Sequence, residues 1–178
     1  MNELPVAIDT FILQWGDMGA RWGVNRSVAQ IHAYLYLAEE PVTAEDVTEA
    51  LGMARSNVSN SLKELLAWKL VHRVPVRGDR REHFAAETDV WEIAAKIAEG
   101  RKLRELDPAI TALEDSVAHA AGDGDVSKIQ RDRLKAMLDF TRTADRFYAQ
   151  MLGLSTPKRK ALLKMGAKIS NLLPAAKD

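Results

Sequence analysis

Apolar residues recur every three or four positions along most of the chain, the spacing that places them on one side of a helix. The first stripe predicts a helix over residues 4–22, followed by a break at Gly23 and Asn25. A second helix is predicted from Ser27 to the turn at residues 39–41. The stripe of the first helix consists of Leu4, Ile8, Phe11, Trp15, Met18 and Trp22.

A third and a fourth helix follow with only a short break between them. Thr43 and Asp46 have the spacing of a capping box, in which the two side chains satisfy free amides at a helix start. Gly52 suits the left-handed residue that closes a helix, and the next helix is predicted over residues 55–69. Two short helices joined by a glycine-containing turn indicate a helix-turn-helix.

From Leu70 the pattern changes to that of strands. Residues 71–76 are rich in β-branched side chains and contain Pro75, which suits an edge strand. The polar residues 77–81 predict a turn, and residues 82–86 can return as the partner strand. Helix, turn, helix and hairpin in this order predict a winged helix-turn-helix.

The rest of the chain is predicted to be helical. Apolar residues form one seam over 103–120 and a second over 134–151, as in coiled coils. A break at residues 154–157 precedes a last helix. That helix carries Leu162, Met165, Ile169 and Leu172, and a basic stripe of Lys160, Lys164 and Lys168 that we interpret as a solvated face, with added DNA contact as the alternative.

Together these elements predict a mainly α-helical protein with a small β-hairpin wing. We expect residues 1–24 to contribute a helix to a dimer body and residues 25–88 to form the winged helix-turn-helix head. Residues 89–178 are expected to form a long-helix region for dimerisation and for binding an effector. The chain of 178 residues has no cysteine, which excludes a disulfide framework, and no apolar run long enough to span a membrane. We expect a cytoplasmic protein.

Positive charge is concentrated in the head, although the 25 basic and 25 acidic residues of the chain balance. Residues 1–52 hold two basic and eight acidic residues, whereas residues 53–86 hold seven basic and three acidic ones. Binding follows the local field rather than the net charge. The segment 53–86 is therefore the candidate for contact with a polyanion.

The helix predicted over residues 55–69 has one apolar face and one face of short polar side chains. Such residues are poor helix formers, and a merely solvated face would carry Glu, Lys or Gln. Hydroxyl and amide groups beside Arg and Lys suit base edges and phosphates in the major groove of DNA. A solvent-facing first turn is the alternative. The candidate DNA-binding residues are Arg55, Ser56, Asn57, Ser59, Asn60 and Lys63.

The predicted hairpin turn adds Arg77, Arg80 and Arg81 to these candidates. Guanidinium groups suit a narrow minor groove or the adjacent phosphates. Asp79 would repel phosphate, so we expect it to hold a neighbouring arginine or to shape the turn. A charged tip that keeps an edge strand soluble is the alternative, but its place beside the polar helix favours DNA contact.

A group of short motifs lies between residues 4 and 110: Arg21-Trp22-Gly23, residues 31–37, Ser56-Asn57-Val58-Ser59, residues 68–71 and Gly78-Asp79-Arg80-Arg81. Together they resemble the GbsR branch of the MarR-type transcriptional regulators. The resemblance implies a homodimeric winged-helix regulator that binds a near-palindromic operator in double-stranded DNA. It also implies that the Asp-x-Arg wing signature of the family falls on Asp79 and Arg81. Glu87-Thr88 departs from the Leu-Thr that often follows the wing, and the match is weak past residue 122.

Three tryptophans allow two interpretations. Some members of the GbsR branch resemble choline sensors, and quaternary ammonium ions are held by aromatic faces. A cage of Trp15, Trp22 and Trp91 would suit such a small-molecule effector. However, Trp15 and Trp22 lie on the apolar stripe of the first helix, where packing in the core is the interpretation that we favour.

The sequence contains no motif for metal binding or for catalysis. The histidines His32, His72, His83 and His119 are scattered and predict no metal site, and we expect His72 and His83 to be exposed on the wing. No phosphate-binding loop, nucleophile elbow or paired-acid motif is present, so we expect no catalytic residues and no cofactor. Two rival functions remain: a winged-helix module that docks a protein instead of DNA, and a small enzyme built on the long helices.

Overall fold

The computed structural model describes residues 4–169, with side chains up to residue 165. The side chains of Lys168 and Ile169, and the whole of Leu172, lie outside the described residues. The chain divides into two compact units, Met1–Lys96 and Ile97–Asp178, and each is described by itself. The protein is mostly helical with a small antiparallel sheet of three strands, which confirms the predicted fold class.

The first unit has the element order of a winged helix-turn-helix. The third and fourth of its helices before the wing form the tight turn pair, and two antiparallel strands form the wing. Its elements are, in order, α1 (Val6–Arg21), α2 (Arg26–Leu37), β1 (Val42–Thr43), α3 (Ala44–Leu51), α4 (Arg55–Ala67), β2 (Val71–Val74) and β3 (His83–Ala86), and α5 (Val90–Arg101) begins within it.

The core of this unit is built from one apolar face of each helix and of the sheet. Ile31 of α2, Val47 of α3 and Val58 of α4 are almost completely buried, and Phe84 of β3 is buried as well. Helix α4 packs on both α2 and α3. Because its apolar side is fixed by these contacts, the opposite side of α4 is held towards solvent.

Helix α1 crosses α2 at very short range. A Cβ atom added at Gly16 would lie 2.5 Å from the Cγ of Gln30, and one added at Gly19 would lie 2.6 Å from the Cβ of Ala29. Neither distance is compatible with a real side chain unless an atom moves. Gly19 therefore sets how closely α1 can approach α2, and Gly16 leaves room for the Gln30 side chain.

Helix α3 begins and ends where the sequence predicts. The Thr43 hydroxyl accepts the Asp46 backbone N–H at 3.2 Å, and the Thr43 backbone N–H donates to the Asp46 carboxylate at 2.7 Å. Gly52 closes the helix with a φ of 61°. The predicted capping box and the predicted left-handed glycine are both confirmed.

The sheet contains one strand more than the sequence predicts. Its order is β1-β3-β2, because the two-residue strand β1 pairs with β3 next to the predicted hairpin. Within the hairpin, His72 is opposite Ala85 and His83 is opposite Val74. The expectation that both histidines are exposed on the wing is wrong for His83, which is buried between β1 and β2 in the central strand.

The second unit is a pair of long helices with a shorter one after them. The end of α5 continues through a π-helical turn, Lys102–Leu106, into α6 (Asp107–Gly122), which packs on α7 (Lys128–Gly153). Helix α8 (Thr156–Ile169) follows. The Lys102 ammonium lies 2.7 Å from the Asp145 carboxylate, and this ion pair attaches the π-helical turn to α7.

The predicted seam over residues 103–120 is interrupted by this π-helical turn. A π turn contains an extra residue, which rotates the residues before it relative to those after it. Leu103 consequently leaves the face that Leu113 and Ala120 share and is 61% exposed. The seam on α6 is therefore shorter than its periodicity predicts.

Helix α7 has a second apolar face, which is largely exposed in the described part of its unit. We call this face the α7 stripe; its members are Ile129, Met137, Phe140 and Phe147, all on one side of the helix and all exposed. Phe140 is 71% exposed and Phe147 is 63% exposed. Leu138, on the other side of α7, is buried.

Candidate nucleic-acid interface

The solvent side of α4 carries a cluster of exposed polar side chains. Val58, Leu62 and Leu65 occupy the buried side. The α4 polar face is the group Ser56, Ser59, Asn60 and Lys63, which are exposed and share the opposite side. Among residues 4–165, none of these four side chains makes a hydrogen bond or an ion pair within the chain. Their donors and acceptors are therefore available to a ligand.

The start of α4 is also open. Ala54 is the N-cap residue, and no side chain caps the first turn of the helix. The N–H groups of a helix start are donors, and the helix dipole favours an anion there. The first residue of the helix, Arg55, adds a positive charge at the same end.

Asn57 differs from its neighbours on α4 because its side chain is used inside the protein. Its amide nitrogen donates to the Ser27 hydroxyl of α2 at 2.9 Å, and its amide oxygen accepts the Ser61 hydroxyl at 3.5 Å. The side chain is half-buried. The sequence groups Asn57 with the DNA-binding candidates, whereas the structure places it between α4 and α2.

The three wing arginines fall into two classes. Arg77 and Arg80 are exposed and form no ion pair with the residues that the structure describes. Arg81 is held by Asp79, since its Nε donates to the carboxylate at 2.9 Å and its backbone N–H donates at 2.9 Å. Asp79 thus holds a neighbouring arginine, as its position in the sequence predicts.

The Asp79–Arg81 pair changes the acidity of both groups. Hydrogen bonds from Arg81 hold the pKa of the Asp79 carboxyl well below its usual range. The hydrogen bond and the charge of Asp79 raise the pKa of Arg81. His83 extends the cluster, because its Nε2 lies 3.5 Å from the same carboxylate and its Nδ1 lies 3.1 Å from the Arg81 carbonyl oxygen. The turn of the wing is therefore fixed from inside.

Glu45 connects the wing to α4, a role that its position in the first turn of α3 does not reveal in the sequence. One carboxylate oxygen of Glu45 accepts Arg55 at 2.8 Å, and the other lies 3.8 Å from the Arg81 guanidinium. All three side chains are more than half exposed. The first turns of α3 and α4 and the tip of the wing meet at this carboxylate.

An open groove of about 330 Å³ separates α4 from the wing. Its lining includes the apolar residues Leu62 and Phe84 and the polar residue Ser59. Three cations, Lys63, Arg73 and Arg81, stand around it with the acids Glu45 and Glu82. Arg73 is paired with Glu82 at 2.7 Å, so the α4 side of the groove is where unpaired positive charge lies.

The three tryptophans of the predicted effector cage have different environments. Trp15 is half-buried and contacts the rings of Phe11 and His32, with centroid distances of 5.6 Å and 6.3 Å. Trp91 is half-buried in the first turn of α5, where its backbone N–H donates to the Asp89 carboxylate at 2.8 Å. The cage stays a prediction.

The prediction that the tryptophans of the apolar stripe pack in the core is wrong for Trp22. This residue follows α1 as its C-cap, where the backbone has left helical geometry, and 62% of its side chain is exposed. The stripe therefore ends before Trp22. Sequence reasoning also missed His32, which is buried against Trp15 on the α1–α2 interface.

Neither a metal site nor a membrane-spanning helix is found among the residues that the structure describes. Residues 4–169 contain no group of three or more His, Asp or Glu side chains arranged to hold a metal ion. None of the helices in this range has the length and apolar content that a membrane crossing requires.

The fold and the open polar face define a winged helix-turn-helix domain. Residues 22–82 match the model of the MarR family. Among curated proteins, the chain is 28% identical over 97 residues to the HTH-type transcriptional repressor GbsR of Bacillus subtilis, covering 54% of this chain and 53% of GbsR. It is 24% identical over 92 residues to the putative HTH-type transcriptional regulator YvaV of the same organism, covering 52% of each.

A solved structure supports the fold over a larger part of the chain. The crystal structure of a transcriptional regulator superposes with a TM-score of 0.65 at 21% sequence identity, covering 83% of this chain and 96% of that one. This likeness concerns the fold alone. The chain spans about half the length of the curated relatives that it matches, and these relatives are regulators of transcription by name, not enzymes.

Proposed function

We propose that the protein is a sequence-specific DNA-binding regulator of transcription that acts as a homodimer on an inverted-repeat operator and responds to a small-molecule effector. The observation that carries the proposal is the α4 polar face, whose four side chains are exposed and make no hydrogen bond or ion pair with the residues that the structure describes, opposite a packed apolar side. Ser56, Ser59 and Asn60 are poor helix formers, and a helix that only faced water would gain nothing from them. A helix in the major groove needs them, because base edges present donors and acceptors to be matched.

The first turn of α4 and the wing would supply contacts to phosphates. An uncapped helix start accepts an anion, and Arg55 stands beside it. Arg77 and Arg80 extend from the wing without ion pairs among the described residues, so each can neutralise a phosphate or enter a narrow minor groove. Arg81 is oriented by Asp79 for the same role. In this arrangement, Asn57 positions α4 instead of contacting a base.

The homodimer is supported by the α7 stripe. Two phenylalanines that are 71% and 63% exposed on one side of a helix form an apolar surface that a second copy of the chain would cover. A two-fold dimer presents two recognition helices, which read half-sites about 34 Å apart, or one DNA turn. We therefore expect an inverted repeat with this spacing in the operator.

Regulation requires that an effector binds two states of the dimer with different affinity. We include Trp15, Trp22 and Trp91 in this proposal as the residues to test for an aromatic contact with a quaternary ammonium ion. Trp22 is the member whose ring is most accessible. Replacing it by Ala should weaken the response of DNA binding to choline-like compounds, if these compounds are the effector class.

The test begins with selection of bound duplexes from a random-sequence pool by the purified protein. The proposal requires that selected duplexes contain an inverted repeat and that their binding weakens with added salt. Asn60→Ala should then change the preferred base at one position of each half-site, at about 1–3 kcal/mol per lost base contact. Asn57→Ala is the matched control on the same helix, and it should leave the preferred sequence unchanged.

Two results would contradict the proposal. If the protein retained no duplex at any salt concentration, this result would favour the rival function of a protein-docking module. An equal loss of affinity for all duplexes in Asn60→Ala would show that this side chain does not read bases.

A further inference from the structure

Glu45 is an acid placed among the positive charges of the candidate interface. It is the second residue of α3, and its carboxylate lies 2.8 Å from the Arg55 guanidinium and 3.8 Å from that of Arg81. Arg55 is the first residue of α4, and Arg81 lies at the tip of the wing. One side chain therefore contacts both DNA-facing elements at once.

The contacts of Glu45 are not needed to hold the fold. Exposed ion pairs contribute little to the stability of a protein, and all three partners are more than half exposed. The start of α3 is capped by Thr43 and Asp46, not by Glu45. The wing turn keeps its own ion pair between Asp79 and Arg81. A protein without the Glu45 carboxylate should fold with the same helices and the same hairpin.

An acid in this place affects binding to all DNA sequences. Non-specific affinity comes from Lys and Arg side chains that neutralise phosphates and release counterions. Because Glu45 already neutralises part of the charge of Arg55 and Arg81, a phosphate must compete with its carboxylate for these two guanidinium groups. The attraction of the head for an arbitrary duplex is reduced accordingly.

The same carboxylate also relates the two arginines in space. Its two oxygens lie next to different guanidinium groups, so Glu45 adds to the hold of Asp79 on Arg81 and favours a position of that side chain close to the start of α4. That relation matters in a complex where α4 and the wing each occupy a defined groove. It matters little in a non-specific complex, where the protein moves along the phosphates.

We infer that Glu45 is a specificity-determining residue: its carboxylate, shared between Arg55 of α4 and Arg81 of the wing, lowers affinity for arbitrary DNA and favours the operator. This inference rests on the proposed DNA-binding function. The class of ligand that it discriminates against is a duplex that offers phosphates without the matching base edges.

The test compares Glu45→Gln with Glu49→Gln. Both variants remove one negative charge from α3, but Glu49 is exposed and forms no ion pair within residues 4–165. Affinities are measured for a duplex selected by the wild-type protein and for a shuffled duplex of the same length, over a range of salt concentrations. Thermal unfolding midpoints of all three proteins verify that the variants are folded.

Glu45→Gln should bind the shuffled duplex more tightly, with a salt slope steeper by about one, and should lower the ratio of selected to shuffled affinity roughly fivefold. Glu49→Gln should keep the wild-type ratio. Equal ratios in the two variants would overturn the inference and leave the proposed function intact, because the wild-type protein would still discriminate. If the wild-type protein binds neither duplex in a salt-dependent way, the proposed function and this inference both fail.

Discussion

The imidazole of His32 lies against the indole of Trp15, with ring centroids 6.3 Å apart and planes inclined by 43°. His32 is only 4% exposed, and its Nε2 has no hydrogen-bond partner among the described residues. Burial penalises the charged form and lowers the pKa of His32 to about 4. The ring is therefore neutral at pH 7 and behaves as part of the apolar contact between α1 and α2.

Stability should consequently depend on pH through His32. The unfolded chain binds a proton at this residue below its ordinary pKa of 6.5, whereas the folded protein does so only below about 4. The free energy of unfolding should therefore fall as the pH is lowered from 6.5 to 4, by about 3 kcal/mol from this group. Urea unfolding at a series of pH values measures the effect.

His32→Phe isolates this contribution, because all other titrating groups are shared with the wild-type protein. The difference in unfolding free energy between variant and wild type should shift by about 3 kcal/mol in favour of the variant between pH 7 and pH 4. A difference that stays constant over this range would show that His32 is protonated equally in both states.

Thr43→Ala should destabilise the protein by about 1–2 kcal/mol, because the capping box at the start of α3 loses its hydroxyl. That hydroxyl accepts the Asp46 backbone N–H and donates to the Asp46 carboxylate at 2.7 Å. Thr48→Ala is the control in the same helix, since the Thr48 hydroxyl only donates to the Ala44 carbonyl oxygen one turn earlier. Chemical denaturation should show a much smaller change for Thr48→Ala; equal losses would refute the capping role.

The two classes of wing arginine should be separable by salt dependence. Arg80→Ala removes an unpaired cation, so the slope of log affinity against log salt should decrease by about one, with similar losses for selected and shuffled duplexes. Arg81→Ala should weaken binding further, because it also leaves the Asp79 carboxylate unpaired near the phosphates. Fluorescence anisotropy at several salt concentrations measures both slopes. An unchanged slope in Arg80→Ala would exclude a phosphate contact.

Dimerisation through the α7 stripe predicts that Phe140→Ser combined with Phe147→Ser gives a monomer. Each buried Phe contributes about 1.5–3 kcal/mol, so the loss of two from each chain, four in the dimer, should raise the dimer dissociation constant by at least about ten-thousandfold. Both side chains are exposed in the single chain, so circular dichroism should show unchanged helix content. Lys135→Glu, on another side of α7, should remain dimeric in sedimentation velocity. A double variant that is still a dimer would show that the dimer interface does not lie at the α7 stripe.

The parts of the fold that the sequence predicted correctly depend on neighbouring residues. The cap at Thr43 and Asp46, the left-handed Gly52 and the hairpin are local arrangements, whose signals lie within a few positions of one another. Strand β1 was missed because two residues are too few to show an alternating pattern. The π-helical turn was missed because periodicity across it looks continuous in the sequence.

The residues of the candidate interface could be predicted from the sequence, but the hydrogen bonds and ion pairs between them could not. The exposed face of α4 follows from helical spacing, so Ser59 and Asn60 lie where the sequence predicted them. Which polar side chain is already occupied depends on distant residues. Asn57 donates to Ser27, thirty positions earlier, and Glu45 reaches the wing at Arg81. A pattern along one helix contains no information about such partners.

The close crossing of α1 and α2 determines which sequence changes this unit can tolerate. An alanine in a helix is ordinarily an improvement over glycine. At Gly16 the added methyl meets the flexible Gln30 side chain, which can rotate away, whereas at Gly19 it meets the Cβ of Ala29, which cannot. Natural drift and engineered libraries should therefore accept alanine at the first position and reject it at the second, although both glycines look equally dispensable to a helix-propensity scale.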